Sequence, residues 1–125
     1  MILDTNALSA AAESEPGIVA QIARADQVFL TVISLGEYRY GISRSRHHTR
    51  YEKWLSAFID DTTVLSIENE TTIYYAAISL ELRRAGSPIP ANDLWIAALC
   101  LQHSLPLISR DRHFDHVSGV TRISW

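Results

Sequence analysis

The chain has 125 residues, 47% of them apolar and 20% charged, with a formal net charge of −3. Length and composition predict one domain spanning 1–125 around a buried core, and they exclude a disordered chain. No apolar run reaches the roughly 20 residues that cross a bilayer, so no membrane association is expected. The opening Met1-Ile2-Leu3-Asp4 lacks the basic start and apolar stretch of a secretory signal. Cys100 is the only cysteine, which excludes an internal disulfide and a cysteine-rich zinc site and predicts a reducing, cytoplasmic setting.

In chain order, Ile2-Leu3 begins a first strand. Pro16 suits the first position of a helix, and Ile18, Val19, Ile22 and Ala23 then share one apolar face. Val28–Ile33 reads as a second strand, after which Ser34 is placed to cap a helix beginning at Leu35. Tyr51, Leu55, Phe58 and Ile59 recur at helical spacing. Val64–Ile67 reads as a third strand, followed by a helix with a stripe of Ile73, Ala77 and Leu80 that closes at Gly86 and Pro88. Leu94–Leu101 is apolar nearly all round, as in a buried helix. Pro106–Ile108 and the alternating, edge-like Val120–Trp125 complete the strands. Strands separated by helices predict an α/β fold with a parallel sheet covered on both faces. In such sheets ligands bind beyond the C-terminal ends of the strands.

Four acids fall at or just after those ends: Asp4, Glu37, Asp93 and Asp111. Converging carboxylates repel one another, and a hard divalent cation relieves the repulsion. Mg²⁺ or Mn²⁺ held this way serves metal-assisted phosphoryl chemistry. Each acid also has a structural explanation. Ser34-Leu35-Gly36-Glu37 fits a capping box, Asp93 fits the first turn of a helix, and Asp111 fits an Asx turn. Asp4, directly after a buried strand, needs a partner or a purpose.

The context of the four is informative. Leu3-Asp4-Thr5-Asn6, Ser34-Leu35-Gly36-Glu37-Tyr38-Arg39-Tyr40-Gly41, Pro90-Ala91-Asn92-Asp93-Leu94-Trp95-Ile96-Ala97 and Ser109-Arg110-Asp111-Arg112-His113-Phe114 together resemble the successive signatures of PIN-domain proteins. More narrowly they resemble the VapC-type ribonuclease toxins of bacterial toxin–antitoxin pairs. The resemblance covers essentially the whole chain. It implies a three-layer α/β/α sandwich with a central parallel sheet of four to five strands, and a Mg²⁺- or Mn²⁺-dependent endoribonuclease. It carries over Asp4, Glu37, Asp93 and Asp111 as the catalytic acids. Asp4, Asp93 and Asp111 are the expected metal ligands, Asp4 and Asp93 foremost, with Glu37 and Asp111 closer to water positioning or a second metal. Asn6, Ser109 and Asp115 are accessory candidates. The resemblance further implies a small cognate antitoxin, a homodimer, a larger toxin–antitoxin assembly, and a folded substrate such as tRNA or rRNA cut at a single-stranded loop. The chain starts three residues before Asp4, close to the family pattern, so no leader is expected. The alternative is a catalytically weak PIN module that binds RNA or protein without cutting.

Other stretches bear on substrate. Ten of the eleven basic residues are Arg. Arg39, Arg44, Arg46, Arg50 and Lys53 cluster against Glu52 alone, which suits either a solvated connection or contacts to RNA phosphates. Tyr38, Tyr40, Tyr51 and Trp54 interleave with them, for base stacking or for packing. Tyr51, Trp54 and Tyr75 are also candidates for surface covered by a partner. His113-Phe114-Asp115-His116 has spacing that a zinc site allows, but a third strong ligand is missing and solvated histidines are expected. Adjacent His47 and His48 make a poor chelate and suit phosphate contact. Asp4-Thr5-Asn6 also resembles the nucleophile loop of haloacid-dehalogenase-type phosphatases, but their second acid is Asn6 here and the one lysine, Lys53, is badly placed.

Overall fold

The fold, described by a computed structural model that covers Met1–Trp125, is built around five strands. These are β1 (Ile2–Leu3), β2 (Phe29–Thr31), β3 (Thr63–Leu65), β4 (Leu107–Ile108) and β5 (Arg122–Ile123). They form one sheet in the order β3-β2-β1-β4-β5, with every pair parallel. Ile2 is in register with both Phe29 and Leu107, and Leu3 with Ile108. The helices are α1 (Thr5–Ala12), α2 (Pro16–Arg24), α3 (Val32–Ser43), α4 (His48–Asp60), α5 (Thr71–Ala85) and α6 (Ala91–His103). None is long and apolar enough to cross a membrane.

Alternation along the strands divides the core into two layers. Ile2, Leu65 and Leu107 face one side, where they meet Ile78 and Leu82 of α5 and Ile96–Cys100 of α6. Leu3, Leu30 and Ile108 face the other, against Leu8, Ile18, Leu35, Tyr38 and Leu55 from α1 to α4. The three-layer α/β/α arrangement follows from this division. Each fully buried Leu or Ile is worth about 1.5–3 kcal/mol of transfer free energy, so the short strands are held mainly by what covers them.

Several elements differ from the sequence expectation. Strand β2 ends at Thr31 because the Thr31 hydroxyl accepts a hydrogen bond from Ser34 N at 3.0 Å. It thereby caps α3 three residues before the expected start. Val32 and Ile33 are therefore helical, and Ser34 is the capped residue rather than the cap. Helix α1 has no counterpart among the elements the sequence predicts; Asp4 is its N-cap. On α5 the buried positions are Thr71, Ile78 and Leu82, whereas Ile73 is 67% and Leu80 49% exposed. The stripe of Ile73, Ala77 and Leu80 is thus on the outer face. On α2 only Ile18 is fully buried, and Val19 is exposed.

Strand β1 connects to β2 on one side and lies against β4, reached much later, on the other. The winding of the chain reverses there, which opens a crevice beyond the C-terminal ends of β1 and β4. Asp4 and Ser109 follow those two ends directly.

Candidate active site

Asp4 is only 4% exposed and lies at the floor of the crevice. Its Oδ1 accepts from Thr5 N at 2.7 Å. Its Oδ2 accepts from Asn6 Nδ2 at 2.7 Å and from Ser109 Oγ at 2.6 Å. Burial nevertheless raises the Asp4 carboxyl above its ordinary range. The bonds from Ser109 and Thr5 oppose that shift, and the nearby Glu37 and Asp111 add to it. Ser109 Oγ also accepts from Asp111 N at 2.9 Å, and Asn6 Oδ1 accepts from Arg110 N at 3.1 Å. The two accessory candidates Asn6 and Ser109 therefore tie the segment after β4 to the segment after β1.

Glu37 is not engaged in a capping box. Its Oε1 accepts from Thr5 Oγ1 at 2.7 Å and its Oε2 from Asn92 Nδ2 at 3.2 Å. Helix α3 carries it one turn in from β2, and α1 and α6 each supply one donor to hold it. Asp93 enters from the first turn of α6. Its carboxyl is raised by burial first and by Asp111 and Asp4 in addition, while a bond to His113 counters the rise. Asp111 does form the expected turn: its Oδ1 accepts from His113 N at 2.9 Å, capping a 3-10 turn over Arg112–His116. The His113 ring returns over the site, with Nδ1 at 3.1 Å from Asp93 Oδ2 and 3.2 Å from Asp111 Oδ1.

Asp115 does not join this group. Arg122 grips it with two bonds, Nε to Oδ1 at 2.6 Å and Nη2 to Oδ2 at 2.9 Å. The guanidinium holds its carboxyl below the usual range. Arg122 Nη1 also donates to Ser109 O at 3.0 Å, so the pair braces the backbone behind the site instead. Arg39, Arg44, Arg46, Arg50 and Lys53 are all exposed around the connection between α3 and α4. Arg39 lies 3.7 Å from Glu52, too long and too exposed to neutralise it. Trp54 stacks on Phe58 and tilts against Tyr38, Tyr75 stacks on Trp95, and Tyr51 bonds to Glu13. Those aromatic side chains serve packing within the chain, which leaves Tyr40, 69% exposed, as the free ring. Tyr40 lines an open groove of about 810 Å³ with Val32, Ile67, Trp95, Thr5 and Glu37. The groove leads from the acids along α3 and α6.

Four acids from four separate segments meet at one edge, in the order and fold the sequence motifs imply. A family model of the PIN domain matches residues 1–120. The chain belongs to the PIN-domain family. This PIN domain is similar to Ribonuclease VapC5 of Mycobacterium tuberculosis, 27% identical over 100 residues that make up 78% of this chain and 74% of that protein. It is also similar to Ribonuclease VapC2 of Rickettsia felis, 24% identical over 99% of this chain and 96% of that protein. Among solved structures, DNA-bound VapBC from Salmonella typhimurium matches with a TM-score of 0.88 at 24% identity, over 99% of this chain and 96% of that one. VapBC2 from Rickettsia felis, bound to a DNA fragment from its promoter, gives 0.87 at 23% identity over 99% and 97%.

The donors in this PIN domain suit a divalent cation. Asp93, Asp111 and His113 each present one ligand atom, all within 4.8 Å of one another. Asp4 stands outside that tight set, with the lone pairs its three hydrogen bonds leave free still available. Two residues in contact with the acids, Thr5 and Asn92, carry no role in the sequence reading, and a third, His113, expected there to be solvated, lies on Asp93 and Asp111. Thr5 and Asn92 sit inside the quoted motifs, beside Asp4 and Asp93. His113 lies two residues past Asp111, the spacing at which an Asx-type turn folds a side chain back.

Proposed function

We propose that the protein is a Mg²⁺- or Mn²⁺-dependent endoribonuclease and the toxin of a type II toxin–antitoxin pair. Its substrate is folded cytoplasmic RNA, tRNA or rRNA, cut at a single-stranded loop. The observation that carries this reading is the meeting of Asp4, Glu37, Asp93 and Asp111 at the crevice of a PIN domain. In support, the curated relatives are named ribonucleases, and the solved relatives include a toxin–antitoxin complex from Klebsiella pneumoniae and a member of the VapBC family of toxin–antitoxin systems from Mycobacterium tuberculosis.

Asp4, Asp93 and Asp111 would hold the cation. When bound, it supplies positive charge for the scissile phosphate and acidifies water. Glu37 is held by one neutral donor on each oxygen, from Thr5 and Asn92. Its carboxylate would orient the attacking water and take a proton from it as the water oxygen attacks phosphorus and the P–O bond to the leaving ribose oxygen breaks, that oxygen taking up a proton from solvent. Ser109 and Asn6 keep the Asp4 carboxylate fixed, so that no reorganisation is needed when charge builds up on the phosphate. Arg39, Arg44, Arg46, Arg50 and Lys53 would contact phosphates along the strand. A loop is favoured over a duplex because bases in A-form RNA are hard to reach.

A crevice of carboxylates also suits an inserted Arg from a small antitoxin. The unpartnered outer face of α5, with Ile73 and Leu80 exposed, suits a homodimer or a larger toxin–antitoxin assembly. Brief induction of the protein in bacteria should stop growth and create new 5′ ends at a few sites in loops of stable RNA. Co-expression of the adjacent small gene should prevent both. Growth arrest with unchanged RNA ends would refute the ribonuclease and leave a module that binds without cutting.

A further inference from the structure

We propose that the His113 imidazole is itself a ligand to the divalent cation, through Nδ1, and that it biases the site towards Mn²⁺ over Mg²⁺. This role rests on the metal dependence proposed above.

The backbone places His113 firmly. Its own N–H is bound to Asp111 Oδ1, and the next residue, Phe114, is fully buried in the core. The ring is thereby turned back over the two acids. Nδ1 is 3.1 Å from Asp93 Oδ2 and 3.2 Å from Asp111 Oδ1. Neighbouring ligands of an octahedral ion with bonds of about 2.1 Å are separated by about 3.0 Å. The spacing from Nδ1 to each carboxylate therefore matches an edge of such a coordination shell. A single Nδ1–H donated to Asp93 Oδ2 accounts for one of the two short distances, and the ring then brings Asp111 Oδ1, which accepts from His113 N, nothing further. A cation between the three atoms satisfies all of them at once. Two nearby guanidinium groups are engaged elsewhere, Arg122 by Asp115 and Arg110 by Glu15.

The chemical consequence is selectivity. Carboxylates suit Mg²⁺ and Mn²⁺ alike, whereas an imidazole nitrogen suits transition metals. Replacing one water of the shell by Nδ1 strengthens Mn²⁺ binding and does little for Mg²⁺.

The test is Mn²⁺ binding to the tag-free full chain, followed by electron paramagnetic resonance. Spin-echo spectra of the Mn²⁺-loaded parent should show ¹⁴N modulation that is replaced by the ¹⁵N pattern when the protein is labelled with ¹⁵N-histidine. His113→Gln should abolish the modulation and weaken Mn²⁺ about tenfold or more, with Mg²⁺ binding, measured by competition, changed less than about threefold. His116→Gln should leave the modulation in place. Should His113→Gln fail to fold, the isotope exchange in the parent, together with His47→Gln, His48→Gln, His103→Gln and His116→Gln that each keep the modulation, still decides the matter. Mn²⁺ that binds without nitrogen modulation would overturn the ligand role and leave the metal-dependent nuclease intact. No Mn²⁺ binding at millimolar concentration would overturn both.

Discussion

The Asp4 carboxylate accepts three hydrogen bonds and still sits above the ordinary carboxylate range, because burial outweighs what Ser109 and Thr5 return. It caps α1 and floors the crevice at once, so its cost to the metal-free fold is set by two functions together. Glu37 is the opposite case, an acid whose structural explanation fails on inspection of its partners. Thr31 caps α3, and Glu37 faces Thr5 and Asn92 instead. Glu37→Gln can keep the bond from Thr5, and the Asn92 amide can turn to accept from the new NH₂ group. Its stability should therefore stay within about 0.5 kcal/mol of the parent. Cleavage should fall by about 100-fold or more, because the proton acceptor is lost. Thermal melting and Mn²⁺-dependent cleavage on the same samples check both halves. Cleavage at the parental rate would remove Glu37 from the site.

At the scale of elements, the ends of the helices were less legible than their existence. Thr31 ends β2 and starts α3, yet in sequence it belongs to a continuous strand-like run, Val28-Phe29-Leu30-Thr31-Val32-Ile33. Only the hydroxyl, turned onto Ser34 N, decides where the strand stops. Helix α1 escaped notice because Thr5-Asn6 opens it with poor helix formers, and because its Asp4 cap looks from sequence like a site residue alone. The phase of α5 misled for a different reason. Ile73 and Leu80 are as apolar as Ile78 and Leu82, so periodicity alone cannot say which stripe meets the sheet. Helix α2 shows how a distant residue fixes an element. A Cβ on Gly17 would come within 2.9 Å of Trp125 Cδ1. Trp125 is in turn held by Glu15 through Nε1 and covered by the Arg110 guanidinium at 4.2 Å. Gly17→Ala should therefore lower the melting temperature of the parent, since overpacking costs about 1–3 kcal/mol. In a Trp125→Ala background the same change should raise it, since helix propensity then stabilises the chain by up to about 1 kcal/mol. Equal effects in both backgrounds would mean that Trp125 does not limit that position.

For the molecule as a whole, the alternation of short β-branched runs with helical stretches was enough to read a parallel sheet, and the motifs were enough to read its family. The order β3-β2-β1-β4-β5 explains why acids so far apart in the chain meet. The winding reverses at β1, and the crevice opens where Asp4 and Ser109 emerge side by side. Asp115 shows where spacing ran out: it matched an accessory position, but Arg122, seven residues on, claims it. His113 shows the converse, a residue set aside as solvated that the turn at Asp111 brings onto two carboxylates. The central claim is that this cluster of acids cuts RNA with the help of a divalent cation. Its most direct test is cleavage of total bacterial RNA by the purified chain, with 5′ ends mapped, comparing parent and Asp93→Asn. The parent should produce a few discrete ends with Mn²⁺, none with a chelator, and the same ends when Mn²⁺ is restored. Asp93→Asn should be slower by about 100-fold or more. Cleavage that survives the chelator or Asp93→Asn would contradict the claim, as would RNA bound by the parent and left whole.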